Sequence, residues 1–383
     1  MKKRIKSAEA ICLGHTDKVA DVISDAILDE LLRKDPYSKA SIETLITTGL
    51  VHVSGEISTD AYVDIPDIVR STLIEIGYTK PEYGFDGYTA GVITTINEQS
   101  PELALGIPPT GAGDTSIVIG YATDETPNYM PLPTNIANKI TSLLNEYRKD
   151  DILPFLRPDG KAIVVVEYDE EDNPIRVDSV AVLVQHEPYI TEEELKNEIL
   201  EKVIKKAIPE KYLDKDTKIV INPIGRFVIG GPMADTGLTG RKTIADAYGT
   251  SAPSGGSAFS GKDPTKIDRS ASYMARMIAK HIVASGLAKK CLVEMVYIIG
   301  MDYPISFNIK VNNNSIDIYK LQEDIKNIFD LSPIGIINFL NLRKPIYKLT
   351  SIEGHFGVER EEFSWELINN NILGELENVK KSY

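Results

Sequence analysis

The sequence predicts an α+β protein of three structurally related domains, and three observations carry that prediction. The order helix–strand–strand–helix–strand runs three times along the chain in outline, without repeating residue identity. Hairpin-like spacings separate the strands, which favours mixed or antiparallel sheets covered by helices over a doubly wound parallel sheet. The chain has 383 residues, long enough for two or three domains with full cores.

In the first run, apolar residues at helical spacing (Val19, Ala20, Ile23, Ala26, Ile27, Leu31) predict a helix. Strand-like stretches follow over 42–46 and 50–57, then a helix carrying Ile65, Ile68, Val69, Leu73 and Ile76. In the second, a helix near 135–147 precedes the strands AIVVVEY and VDSVAVLVQH. A helix TEEELKNEILEKVIKKAI comes next, with Thr191 and Glu194 spaced as a capping box. The third has a helix near 265–285, strands CLVEMVYIIG and ISFNIKV, and a helix from about 316 to 328. Each run closes on a further strand-like segment: YTAGVITTI, TKIVINPIGRF and PIYKLTSI. The glycine- and proline-dense stretches 106–113 and 225–235 are the best breaks. Domains are therefore expected over residues 1–105, 111–228 and 229–383, the last carrying the phosphate-binding segment described below.

The balance of 42 Lys+Arg against 56 Asp+Glu gives a formal charge of −14. That acidity argues against a protein that coats nucleic acid or an anionic membrane, because both require clustered basic charge. No apolar run approaches the roughly 18 residues of a membrane span, and the basic start lacks the apolar stretch of a signal peptide. Cys12 and Cys291 fit no disulfide framework and no metal-ligand spacing, as expected of reduced thiols in a cytoplasmic protein.

The charge is unevenly placed. Residues 226–269 hold six basic residues (Arg226, Arg241, Lys242, Lys262, Lys266, Arg269), four acidic ones and eight of the 27 glycines. Glycine lets backbone amides approach a ligand and the cations supply charge, so the segment reads as an oligophosphate cradle; a long solvated connection is the alternative. Within it, 256–263 (GSAFSGKD) mimics a P-loop but has Asp263 at the hydroxyl position and no apolar strand before it. A second constellation, 14–18 (GHTDK), sets His15, Asp17 and Lys18 at the start of the first helix. Asp17 has the character of a helix N-cap. Asp21, Asp25 and Asp29 continue its four-residue spacing, and a solvated face is the simpler explanation for them. Asp114, Asp159 with Lys161, and Asp235 each lie beside glycine or proline, as turn formers or ligands outside regular structure. No Ser-His-Asp or Cys-His nucleophile arrangement is evident.

Together these motifs resemble the S-adenosylmethionine synthetases (methionine adenosyltransferases) of the bacterial type. The resemblance covers nearly the whole chain: GHTDK, ISDAILD, TGLVHVSGEI, INEQSPE, GAGD, GYATDET, LRPDGK, INPIGRFVIGGPMADTGLTGRK, AFSGKDPTKIDRSASY and the terminal GHFG. It implies three α+β domains around a pseudo-threefold axis, and a homotetramer (a dimer of dimers) with active sites shared between two subunits. The implied reaction joins ATP and L-methionine to S-adenosyl-L-methionine and then cleaves the triphosphate to phosphate and diphosphate. By the resemblance, His15 and Lys161 assist departure of the triphosphate, and Arg241, Lys242, Lys262 and Lys266 clamp its oxygens. Phe227 stacks on adenine, and Asp159 and Asp235 face the ribose side. Glu56, Gln99, Asp114, Lys266 and Ile299 receive methionine. Asp17 and Asp268 hold two magnesium ions per active site, and Glu43 binds one potassium ion per subunit.

The chain departs from the family pattern at Thr16, where proline is usual, at Cys12 and Leu13, and at Thr115 after GAGD. An Arg-His pair usual before Gly255 is absent, and the 99–111 segment, a mobile loop in the family, is short. Every matched site residue is retained, so activity is expected. The alternatives are a tripolyphosphatase or ATP hydrolase, or a noncatalytic nucleotide-binding subunit of the same fold.

Overall fold

The computed structural model describes residues 4–98, 100, 108, 110–256 and 258–383. Short 3₁₀ and π turns aside, β1 (Arg4–Ile11), α1 (Thr16–Lys34), β2 (Lys39–Thr47), β3 (Leu50–Ser58), α2 (Ile65–Ile76) and β4 (Gly91–Asn97) come first. Next are β5 (Ser116–Thr123), α3 (Leu132–Lys149), β6 (Leu156–Tyr168), β7 (Pro174–His186), α4 (Glu192–Ile199) and β8 (Lys218–Ile221). β9 (Gly237–Leu238), α5 (Ile267–Ala284), β10 (Lys290–Tyr297), β11 (Ser306–Val311), α6 (Ile318–Ile328), α7 (Pro333–Leu340), α8 (Tyr347–Glu353) and α9 (Asn370–Lys380) follow. The strands form three open sheets in the orders β4-β3-β2-β9, β1-β6-β7-β8 and β11-β10-β5. Among the described residues only β3–β4 and β7–β8 are parallel pairs, so the sheets are mixed or antiparallel, as the spacing predicted. The α+β class is confirmed.

Local chemistry accounts for the elements. In β6 and β7 alternate valines turn inward, Val164 and Val166 against Val177, Val180 and Val182, the pattern of a half-buried β-branched strand. The capping box at α4 forms with both reciprocal bonds, Thr191 to the Glu194 amide and Glu194 to the Thr191 amide. α2 opens on the Asp64 carboxylate and ends on left-handed Gly77.

Three strands escaped the periodicity reading, and all are sheet edges. β1 pairs antiparallel with β6, in the sheet built from the middle of the chain, and β5 pairs with β10, in the sheet of the last third. The two-residue β9 likewise joins the edge of β2. A further difference is PIYKLTSI, which is not a strand: residues Tyr347–Glu353 form α8. Its β-branched residues are overridden by a tertiary cap. The two carboxylate oxygens of Asp29 accept the amides of Tyr347 and Lys348 at 2.8 and 2.9 Å, which fixes a helix start there. Asp159 and Lys161, expected outside regular structure, lie within β6, whose register shifts between Leu156 and Gly160.

α1 and α5 are buried on nearly all sides: 16 of the 19 residues of α1 are buried. The solvated acidic face expected for α1 therefore does not exist. Asp21, Asp25 and Asp29 are all buried and must find partners inside the protein. Cys12 and Cys291 are also buried, and burial pushes the Cys12 thiol up to about 12. Both thiols should resist an alkylating reagent at pH 8 in the native protein and react on denaturation. Prompt labelling of native Cys12 would contradict this packing.

Candidate active site in two halves

The first half gathers at the start of α1. Gly14 approaches the Pro158 backbone so closely that a Cβ would collide with it, and its amide donates to the Pro158 carbonyl at 3.1 Å. The next residue, His15, is the helix N-cap: its Nδ1 accepts the Asp17 amide at 3.3 Å. Asp17 is thus not the cap but lies buried in the first turn, with its carboxylate available to other partners. One of its oxygens accepts the Leu238 amide at 3.0 Å and the other the Lys242 ammonium at 2.5 Å, with Arg241 at 3.6 Å. Burial pushes the Asp17 carboxyl up, but Lys242 and the Leu238 amide outweigh it and hold it below the usual range. The register of β1 on β6 sets Lys161 opposite Ile11, and Lys161 pairs with Glu9.

Burial, and then Lys242 and Lys161, push the His15 imidazole down to about 4 against the pull of Asp17 and Glu9. Asp159 accepts the Gly231 amide at 2.8 Å; its carboxyl is pushed up to about 6, chiefly by burial and further by Asp235 and Asp17. Gly230 packs against both Phe227 and Asp159. Phe227 is pinned through its backbone to His186, which leaves its ring half-buried. Asp235 is exposed and accepts the Thr236 amide. Sequence reasoning assigned all eight of these side chains, and the fold brings them together.

The second half gathers at the start of α5. Lys262 pairs with Asp268, and Lys266 lies 2.7 Å from Asp263, whose carboxylate also accepts the Ala40 amide. Asp114 reaches in from the loop before β5 and accepts the Ile267 amide at 2.9 Å. Its other oxygen is buried without a hydrogen-bond partner. Burial, and then Asp268, push the Asp114 carboxyl up to about 7 while Lys262 opposes them. Ile299 is 38% exposed and its amide donates to Thr115, the residue that replaces the usual glutamine. Glu56 on β3 lies opposite Ser41, which itself bridges to Lys262, so Glu56 is placed beside this half. Glu43 lies two residues along β2 on the same exposed face. Gln99 falls outside the described residues; β4 ends with Asn97 opposite Glu56.

The halves are kept apart by α1. Asp17 serves the first, while Asp25, eight residues or about 12 Å further along the helix, accepts the Gly261 amide beside Lys262. A cavity of about 760 Å³ is lined by Lys18, Asn138, Asp246, His355 and Phe356 among others and by none of the assigned residues. What sequence reasoning missed is the buried support: Asp21, Asp25 and Asp246, with the supporting roles of Lys18, which it named only in the GHTDK constellation, and of Arg269, which it counted only among the basic residues of the cradle. The signal was present, since aspartates recurring through an apolar helix have no reason to face water there.

Chemically, each half presents lysines balanced by carboxylates beside backbone amides. A polyanion with its own divalent counter-ion can enter such a site without leaving a buried charge unpaired. Among the described residues no helix is long and apolar enough to cross a membrane.

Comparison with known proteins agrees with this chemistry. The N-terminal, central and C-terminal domain models of S-adenosylmethionine synthetase match residues 3–101, 109–227 and 229–367. The S-adenosylmethionine synthase of Aquifex aeolicus (strain VF5) is 54% identical over 363 residues, 94% of this chain and 96% of its own. The enzyme of that name from Pseudothermotoga lettingae is 50% identical over 384 residues, covering 96% and 97%. The sequence motifs, the three-sheet fold and these matches agree, and the chain belongs to the S-adenosylmethionine synthetase family.

Proposed function

We propose that the chain forms S-adenosyl-L-methionine from ATP and L-methionine and then hydrolyses the bound triphosphate to phosphate and diphosphate. The observation that carries this reading is the pairing of each candidate phosphate cation with a carboxylate: Lys242 with Asp17, Lys262 with Asp268, and Lys161 with Glu9. On substrate binding the lysines turn to phosphate oxygens and the carboxylates are released.

The methionine thioether attacks ribose C5′, the C5′–O bond breaks, and the electron pair leaves with the triphosphate. Sulfur has no proton to lose, so no general base is required; orientation and stabilisation of the leaving polyanion supply the rate. His15, pushed down to about 4, is neutral near pH 7. Its Nδ1 accepts the Asp17 amide, so its proton resides on Nε2, the atom that donates to the departing oxygen. Lys161, Arg241, Lys242, Lys262 and Lys266 hold the phosphates, Phe227 the adenine, and Asp159 and Asp235 the ribose side. Methionine sits among Glu56, Gln99, Asp114, Lys266 and Ile299.

Among the described residues no three acidic, histidine or cysteine side chains form a metal cage. Single carboxylates at Asp17 and Asp268 would each hold a magnesium ion, which would supply charge neutralisation to the leaving group. Glu43 would hold the potassium ion. The halves are completed between subunits, in a homotetramer of paired dimers, and the reaction runs in the cytoplasm.

Incubation with ATP, L-methionine, Mg²⁺ and K⁺ should yield the sulfonium product together with phosphate and diphosphate, followed by chromatography. Phosphate without the sulfonium would instead establish a tripolyphosphatase or ATP hydrolase. Neither product would establish a noncatalytic nucleotide-binding subunit.

A further inference from the structure

Two groups of clamp cations leave the backbone through the same small device. Gly240 precedes Arg241 and Lys242, and Gly261 precedes Lys262. Both glycines are left-handed, with φ of 78° and 80°. A Cβ on the first would collide with Ala258, and on the second with the Ile42 carbonyl. The amide of each donates to a buried carboxylate on α1: Gly240 to Asp21 at 2.9 Å and Gly261 to Asp25 at 2.8 Å. Asp21 and Asp25 are one helical turn apart, so α1 spaces the two devices as its own pitch spaces the acids.

Each acid is braced. Arg269 meets Asp25 with two parallel bonds of 2.7 and 2.8 Å, and Ser351 donates to it as well. Lys18 lies 3.6 Å from Asp21 and 2.7 Å from Asp246, whose amide donates to the Lys242 carbonyl at 2.9 Å. The chain around Lys242 is therefore held at both ends. Asp21 and Asp25 are both 0% exposed, so neither can touch a substrate. Buried carboxylates cost stability that an apolar side chain would not, and these two return it as fixed loop geometry.

We propose that Asp21 and Asp25 are positioning residues of the reaction: they fix the amides of Gly240 and Gly261 and so set where the clamp lysines leave the backbone. This rests on the reading of Lys242 and Lys262 as phosphate-binding cations.

The test uses the full chain and tripolyphosphate as the probe, with Asp21→Ala against Asp21→Asn, whose amide oxygen still accepts from Gly240. Calorimetric titration in Mg²⁺ should show tripolyphosphate bound about tenfold more weakly by Asp21→Ala, and the KM for ATP should rise in step. The KM for methionine should stay within about twofold, and Asp21→Asn should recover most of the loss. A variant that merely folds less well would lose active sites while keeping every affinity, and that outcome would overturn the proposal. So would an Asp21→Asn no better than Asp21→Ala. If Asp21→Ala does not fold, Gly240→Ala strains the same device from the loop side and should give the same selective loss. Lys242→Met separates the two levels: unchanged tripolyphosphate affinity there sinks the phosphate reading itself, whereas weakened affinity with a normal Asp21→Ala sinks only the positioning role.

Discussion

Replacing Lys161 by methionine should lower the rate of sulfonium formation by about 10²–10³-fold, the usual effect of removing one preorganised donor from developing negative charge. The site is suited to a clean test. Lys161 stands on β6, and its side chain keeps 28% of its exposure and pairs with Glu9, itself 26% exposed. Methionine preserves most of the length and the packing of the stem, and the released Glu9 can be solvated where it stands. Apparent melting temperature and oligomeric state should therefore hardly change. The loss should appear in kcat rather than in the KM for methionine, because the cation acts where charge develops on the triphosphate. Single-turnover formation of the product, followed by chromatography, measures it. A rate within threefold of the unmodified chain would remove Lys161 from the reaction.

The largest effect on stability should come from Arg269→Met, at about 3–5 kcal/mol in urea unfolding. The guanidinium is 0% exposed and all its donor nitrogens are used: Asp25 twice, Thr350 at 2.9 Å, Tyr273 at 3.1 Å and the Lys262 carbonyl at 3.2 Å. Its face also lies 4.2 Å from the Tyr347 ring centre. Methionine fills part of the volume but leaves Asp25 buried with only the Gly261 amide and Ser351 to support its charge. Adding Asp25→Asn to Arg269→Met removes that orphaned charge and should recover part of the stability. Loss of less than about 1 kcal/mol in the single variant would mean that the pair is solvated rather than buried.

How legible this was in the sequence depended on whether the signal was local. The turn at GHTDK, the capping box at Thr191 and the apolar periodicity of α1 all lie within a few residues of their consequences, and each was readable. The edge strands β1 and β5 were not, because a strand is completed by its partner and those partners lie far along the chain. The acids of α1 failed for the same reason. A carboxylate every fourth residue looks alike facing water or facing a loop; here the amides that decide the matter, those of Gly240, Gly261 and Tyr347, are 219, 236 and 318 residues away. PIYKLTSI was misread because Asp29, a distant residue, supplies its helix cap. The site residues were assigned as a set by motif, but only the fold divides those it describes into two groups on opposite stretches of α1.

The exchange of edge strands bears on the time course of synthesis. Ile11 at the end of β1 pairs with Lys161 about 150 residues later, β5 waits for β10, and β2 waits for β9. At about 5–20 residues per second the ribosome delivers β6 roughly 8–30 s after β1. Until their partners emerge, β1, β5 and the β2 edge stand unpaired, and their backbone is open to any neighbouring chain. Only the sheet of β2, β3 and β4 waits for a later strand; the other two complete when their own strands meet one made earlier. β5 stays without its partner until nearly three hundred residues are out, so this edge is the one longest exposed to pairing with another copy during synthesis.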